Sequence, residues 1–275
     1  MAKSAHMTVE IQAPHKASYP ATLVTGGIPS SKEDILAEEG PLQIQINDKP
    51  FIITMRTPGS DLDLAAGFLF SEGIITAEGL RQARITTTQH EGLDRLSIDV
   101  PEIFVCENLR PSRAIISYAS CGICGSEAIP ELDGEPLQVS QPFPMALLPD
   151  MYKTFQSQQT LFQSTGGCHA AGLFSRQGKL LAVREDVGRH NAVDKCVGAL
   201  IESKELEQVG VLLVSGRISF EIMVKAYQAS CPVVVAISAV SSLAVDVAQQ
   251  FGMTVIGYCR EDRATIYSHP EQVQL

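Results

Sequence analysis

Two thiols stand at the start of a glycine-flanked loop: in SYASCGICGSEAIP, Cys121 and Cys124 are separated by two residues and each is followed by a glycine. Three chemistries use such a pair: half of a zinc site, a dithiol–disulfide couple, or a nucleophilic sulfur. A structural zinc site needs two further ligands; Cys106 and Cys168 are available, but there is no second Cys-x-x-Cys. A thioredoxin-type pair heads a helix that follows a strand. Here Gly125, Pro130, Gly134, Pro136, Pro142, Pro144 and Pro149 follow, and so many breakers exclude a long regular element. A mobile thiolate that travels to a partner fits this context best. Gly122 and Gly125 let the loop swing at low steric cost. The sequence suggests no base beside the thiols.

A second group of polar residues gathers where predicted strands end and helices begin. STGGCH contributes Thr165, Gly166, Gly167, Cys168 and His169, and REDVGRHN contributes Asp186, Gly188, Arg189 and His190. SGRISFE contributes Ser215, Gly216 and Arg217, and YCREDR contributes Tyr258, Cys259, Arg260, Glu261, Asp262 and Arg263. In open α/β sheets such carboxyl-end loops converge on one crevice, where helix N-termini offer free N–H groups to an anion. Glycines there admit the backbone of a ligand, and the arginines could clamp its phosphates. Turn and cap residues have the same composition at any single loop; recurrence in four loops favours a nucleotide or other phosphate-bearing ligand. Neither a Walker loop nor G-x-G-x-x-G is present.

The elements that must carry these loops are readable from periodicity. LQIQINDKPFIITM alternates around Asn47-Asp48 and predicts a hairpin over residues 42–55. SDLDLAAGFLFSEG predicts a helix opened by a capping box at Ser60 and Asp63 and closed near Gly73. RLSIDV and RAIISYA predict further strands. A helix over residues 149–162 should precede a hairpin of HAAGLFS and LLAVRED. Helix RHNAVDKCVGALIES, strand VGVLLVS, helix SFEIMVKAYQAS, strand PVVVAIS, helix SLAVDVAQQF and strand MTVIGY follow. That order implies a mixed α/β sheet, its later strands parallel and covered by helices on both faces. The expected division is a poorly structured segment 1–30, a smaller α+β domain 31–120, a loop or linker 121–148 and an α/β domain 149–275.

The same element order occurs in cytidine deaminases, whose zinc chemistry needs H-x-E at one helix start and P-C-x-x-C at the next. Here those positions read His190-Asn191-Ala192 and Ser215-Gly216-Arg217, without the glutamate and without thiolates, so no metal site is expected there. A net charge of −10 and a pI near 5.1 argue against general nucleic-acid or membrane-surface binding. Seven cysteines, an odd number at uneven spacing, and the lack of a signal-peptide pattern suggest a reducing, cytoplasmic setting. The most apolar segment, residues 230–245, is too short to span a bilayer.

With these motifs in hand the chain resembles the formate dehydrogenase accessory sulfurtransferase (FdhD) family. The matching segments are RTPGSDLDLAAGFLFSEGII, SCGICG, STGGCHAA, REDVGRHNAVDK, SGRISFE, SSLAV and YCREDR. The resemblance implies a homodimeric sulfur carrier with a deaminase-like core. It would take sulfur as a cysteine persulfide from a cysteine desulfurase and pass it to the bis-molybdopterin guanine dinucleotide form of the molybdenum cofactor before formate dehydrogenase receives it. Cys121 would be loaded, with Cys124 as second carrier or resolving thiol. The crevice would bind the cofactor's guanine-nucleotide arms, for which GDP is a mimic. A nucleotide-binding redox regulator and a zinc deaminase are the alternatives.

Overall fold

The computed structural model describes residues 15–90, 93–106, 116–117, 134–260 and 263–275. From Lys16 onward the expected poorly structured segment is corrected: β1 (Lys16–Thr25) and β2 (Ile28–Ala37) pair antiparallel from Lys16↔Ala37 to Thr25↔Ile28. The turn is Gly26-Gly27, with φ of 58° and 82°, the left-handed conformations a two-residue hairpin turn requires. The ladder forms on turn chemistry, without a buried face to give it period.

The next hairpin forms as predicted. β3 (Gly40–Ile46) buries Leu42, Ile44 and Ile46, turns at Asn47 and Asp48 (φ 49° and 62°) and pairs with β4 (Lys49–Arg56). α1 (Asp61–Ser71) follows, but Ser60, at φ 54°, makes no side-chain cap, so the expected capping box is absent. Asp61 instead receives two hydrogen bonds from the buried Arg56 guanidinium, at 3.0 and 2.7 Å. α2 (Ala77–Gln82), β5 (Arg84–His90), β6 (Leu93–Asp99) and β7 (Ile116–Ser117) complete a sheet in the order β5-β6-β3-β4-β7. Most of the predicted strand RAIISYA, and with it the loop carrying Cys121 and Cys124, lies outside the described residues.

In the second half β8 (Phe143–Pro144) leads to α3 (Leu148–Ser157) and α4 (Thr160–Thr165), two helices where one was expected. Then come β9 (His169–Ser175), β10 (Leu180–Asp186), α5 (Arg189–Ser203), β11 (Val209–Val214), α6 (Phe220–Gln228), β12 (Val233–Ala236), α7 (Ser242–Gln250), β13 (Thr254–Gly257), β14 (Thr265–Ile266) and β15 (Val273–Gln274). The central sheet runs β10-β9-β11-β12-β13-β14; β11, β12 and β13 are mutually parallel and the outer strands antiparallel. β11 is buried on both faces. Leu212 and Val214 join α5, α6 and α7 in the larger core, while Val211 and Leu213 meet Phe155 and Met151 of α3.

That larger core also takes in Leu42, Ile44, Leu96 and Ile98, because α1 lies between the first sheet and α5. The helices meet backbone to backbone. A Cβ on Gly67 would lie 1.8 Å from the Asp194 carbonyl oxygen, and one on Gly198 would lie 1.9 Å from that of Asp63. This contact, beyond the first turn of α5, holds that helix and hence the residues that open it against the chain's first half.

Candidate functional site

A buried node sets the geometry of the REDVGRHN turn. Asp186 at the end of β10 has no solvent exposure; its Oδ2 lies 2.7 Å from Lys195 Nζ and accepts the Thr57 N–H at 3.1 Å. Its Oδ1 accepts from the Gly188 N–H at 2.8 Å and from Asn191 Nδ2 at 3.0 Å. Lys195 also donates to the Thr57 carbonyl, Asn191 to the Met55 carbonyl, and the Val187 N–H to Thr57 Oγ1. The RTPG and REDVGRHNAVDK segments, remote in sequence, therefore interlock. With both oxygens occupied, Asp186 positions the turn and does not face a ligand, which corrects its expected binding role. Gly188 is the N-cap of α5, where a Cβ would come within 2.9 Å of Asn191 Nδ2.

The turn delivers Arg189 and His190 into the first turn of α5, opposite the start of β9 and the loop after β11. Gly216 packs against both neighbours: a Cβ there would sit 3.3 Å from His169 Nδ1 and 3.4 Å from Arg189 Cβ. Ser215 extends the β9 pairing, donating its N–H to the Ala170 carbonyl and accepting the Ala170 N–H on Oγ, at 3.0 and 2.9 Å. Burial, reinforced by the Arg189 and Arg217 charges, holds His169 below the ordinary imidazole range. His190 is pushed down to about 4 by burial first, then by Arg189 and Lys225, against the opposing Glu221. Both imidazoles are thus neutral near pH 7 and leave the positive charge to Arg189 and Arg217. The site is an anion-favouring mouth between the N-termini of α5 and α6.

A residue that sequence reading missed completes it. Glu221, in the first turn of α6, has Oε2 3.8 Å from His190 Nε2 and accepts the Ser219 hydroxyl at 2.6 Å. Burial alone would raise this carboxyl. The Ser219 hydroxyl and a backbone N–H, with the Arg189 charge, outweigh burial and keep it below the usual range. Nothing in SGRISFE alone marks this acid, because its place comes from facing His190 across two helix ends.

The remaining expected residues divide. Thr165 donates to the Leu161 carbonyl and accepts the Gly167 N–H, which shapes the exposed Gly166-Gly167 turn beside β2. The YCREDR segment begins two strands across from β11, about 10 Å away at ordinary strand spacing. Tyr258 there is 44% exposed at φ 51°. Cys259 is a correction: it is buried in the core with Phe174, Val235 and Ile256, and so is not a crevice contact. Arg260 donates to the carbonyls of Cys259 and Ile237, tying β13 to the loop after β12, and its N–H meets the carbonyl of the exposed Arg263. Glu261 and Asp262 lie outside the described residues, as do Cys121 and Cys124.

The described thiols behave in two ways. Burial raises Cys196 and Cys231 to about 12 and also raises Cys259. It raises Cys168 too, reinforced by Glu185, whose Oε1 lies 3.4 Å from the sulfur. Such thiols stay protonated and are poor nucleophiles. Cys106 is exposed. Among the described residues no three His, Cys, Asp or Glu side chains are grouped to hold a metal ion, and no helix is long and apolar enough to cross a membrane.

Comparison with known proteins bears on this arrangement. Residues 37–274 match the model of the FdhD/NarQ family. The chain is 42% identical over 252 residues to the sulfur carrier protein FdhD of Nocardia farcinica, covering 86% of this chain and 87% of the relative. To that of Sulfolobus acidocaldarius it is 38% identical over 254 residues, covering 92% and 96%. A crystal structure of a candidate formate dehydrogenase accessory protein from Desulfotalea psychrophila superposes with a TM-score of 0.75 at 23% identity, over 95% of this chain and 100% of that one. At that identity the likeness speaks for the mixed α/β fold alone.

Proposed function

The chain belongs to the FdhD/NarQ family, and from that membership we propose that it is a sulfur carrier serving formate dehydrogenase. A cysteine desulfurase supplies sulfur as a persulfide, Cys121 accepts it, and the molybdenum cofactor in its bis-molybdopterin guanine dinucleotide form is the substrate that receives it. Cys124 serves as second carrier or resolving thiol. The core is read as deaminase-like, with an anion site where deaminases hold zinc, and the working unit as a homodimer in the cytoplasm.

One observation carries the reading. His169, Arg189, His190, Gly216 and Arg217, drawn from three separate motifs, meet at the facing N-termini of α5 and α6. Two neutral imidazoles and two guanidinium groups there favour the phosphates of the cofactor's nucleotide arms. Burial keeps Cys168, Cys196, Cys231 and Cys259 protonated, which leaves sulfur chemistry to Cys106, Cys121 and Cys124, and we assign it to the Gly-flanked pair. Calorimetric titration with GDP tests the site: Arg217→Ala should weaken binding by about tenfold or more, the scale of one hydrogen bond to a charged group. Equal affinity in both proteins would remove Arg217 from the site. Loading with sulfur from cysteine by a desulfurase tests the chemistry.

A further inference from the structure

Resting on the nucleotide reading of this same site, we propose that Glu221 selects guanine over the other bases by accepting hydrogen bonds from the adjacent N1–H and 2-amino groups of its Watson–Crick edge. The charges of the mouth do not match. Every other feature of the mouth favours an anion: Arg189, Arg217 and the N-termini of two helices. A carboxylate among them works against phosphate, so the part of a ligand that comes to rest on it must present donors.

The carboxylate is built to keep that character. The Ser219 hydroxyl, at 2.6 Å, and a backbone N–H hold the carboxylate in place; together they take two of its roughly four acceptor positions and leave the others to a ligand. His190 Nε2, at 3.8 Å, is beyond hydrogen-bonding distance, and among the described residues no hydrogen bond reaches that buried nitrogen. Burial holds the imidazole neutral, so it does not cancel the charge. The Glu221 side chain is 14% exposed, shielded enough for its hydrogen bonds to count yet still open to the mouth.

An ionised carboxylate accepts only, so it discriminates by counting donors. Guanine offers two adjacent donors on one edge. Adenine and cytosine set their amino group beside a ring acceptor, and uracil sets its single N–H between two carbonyls. Each of those places a lone pair against the carboxylate and leaves one oxygen unmatched, the unpaired buried polar group that specificity exploits. The same edge is what proteins read when they bind an unpaired base.

The test is calorimetric titration of the full chain and of Glu221→Gln with GDP, IDP, which lacks the 2-amino group, and ADP. The parent should bind GDP about tenfold or more tighter than IDP, and IDP tighter than ADP, on the scale of hydrogen bonds to a charged acceptor. In Glu221→Gln the GDP affinity should fall about tenfold or more, while ADP stays within about threefold. A GDP-to-ADP ratio in the variant equal to that of the parent overturns the proposal. So does a parent that binds GDP and IDP equally well, a result that needs no variant. A parent that binds none of the three overturns the nucleotide reading together with this one.

Discussion

Gly198→Ala is expected to destabilise the protein by about 3 kcal/mol or more, at the upper end of what overpacking a close contact costs. In an exposed helix the same change gains up to about 1 kcal/mol, because alanine is the better helix former. The sign is therefore diagnostic. Here the added methyl would lie 1.9 Å from the Asp63 carbonyl oxygen, and the neighbour is backbone, which cannot rotate aside as a side chain would. The reciprocal contact of Gly67 on the Asp194 carbonyl means that the two helices must separate together. Separation loosens the first turn of α5, so any variant that does fold should also bind nucleotide less tightly. Denaturant unfolding of parent and variant measures the effect; equal or greater stability in the variant would show that α1 and α5 do not cross as described.

Lys195→Met should cost about 3–5 kcal/mol, the usual result of removing one member of a buried ion pair and leaving the other charge in place. Lys195 is 2% exposed, and Asp186, at 0%, would keep only N–H donors for a full charge. The Thr57 carbonyl would lose its partner as well. Lys153→Met, on an exposed helix position, is the control and should stay within about 0.5 kcal/mol of the parent. Similar midpoints for the two variants in a urea titration would refute the claim that this pair locks the RTPG segment to the REDVGRHN turn.

Local patterns made much of the fold legible. The Asn47-Asp48 turn, the β9–β10 hairpin, α5 and the parallel strands β11, β12 and β13 all follow from periodicity and turn chemistry. What escaped was of three physical kinds. The β1–β2 hairpin has no buried stripe, so only its Gly-Gly turn could announce it. Lys195 and Arg56 look like surface charges in sequence and Asp186 like a crevice ligand, yet all three are buried, because partners come from segments far along the chain. Cys259 looked like a loop residue beside arginines, yet it begins just after a fully buried strand and follows that strand into the core. In the site, the clustering of Arg189, His190 and Arg217 was legible because they lie at strand-to-helix junctions, while His169 joins them from the opposite kind of junction, at the start of β9 after α4. Glu221 was not, since its importance comes from facing His190 across two helix ends.

Sulfur loading of Cys121 is the most direct measurement. The parent, incubated with a cysteine desulfurase and cysteine, should gain about 32 Da on a peptide containing Cys121, the mass of one added sulfur on a thiol. Transfer breaks the donor's sulfur–sulfur bond, forms the persulfide on Cys121 and returns the donor as thiolate. Cys106→Ala should load as the parent does, whereas Cys121→Ala should lose the adduct and the ability to support formate dehydrogenase. If Cys121→Ala instead keeps both, Cys121 is not the carrier and the sulfur route proposed for this chain is wrong.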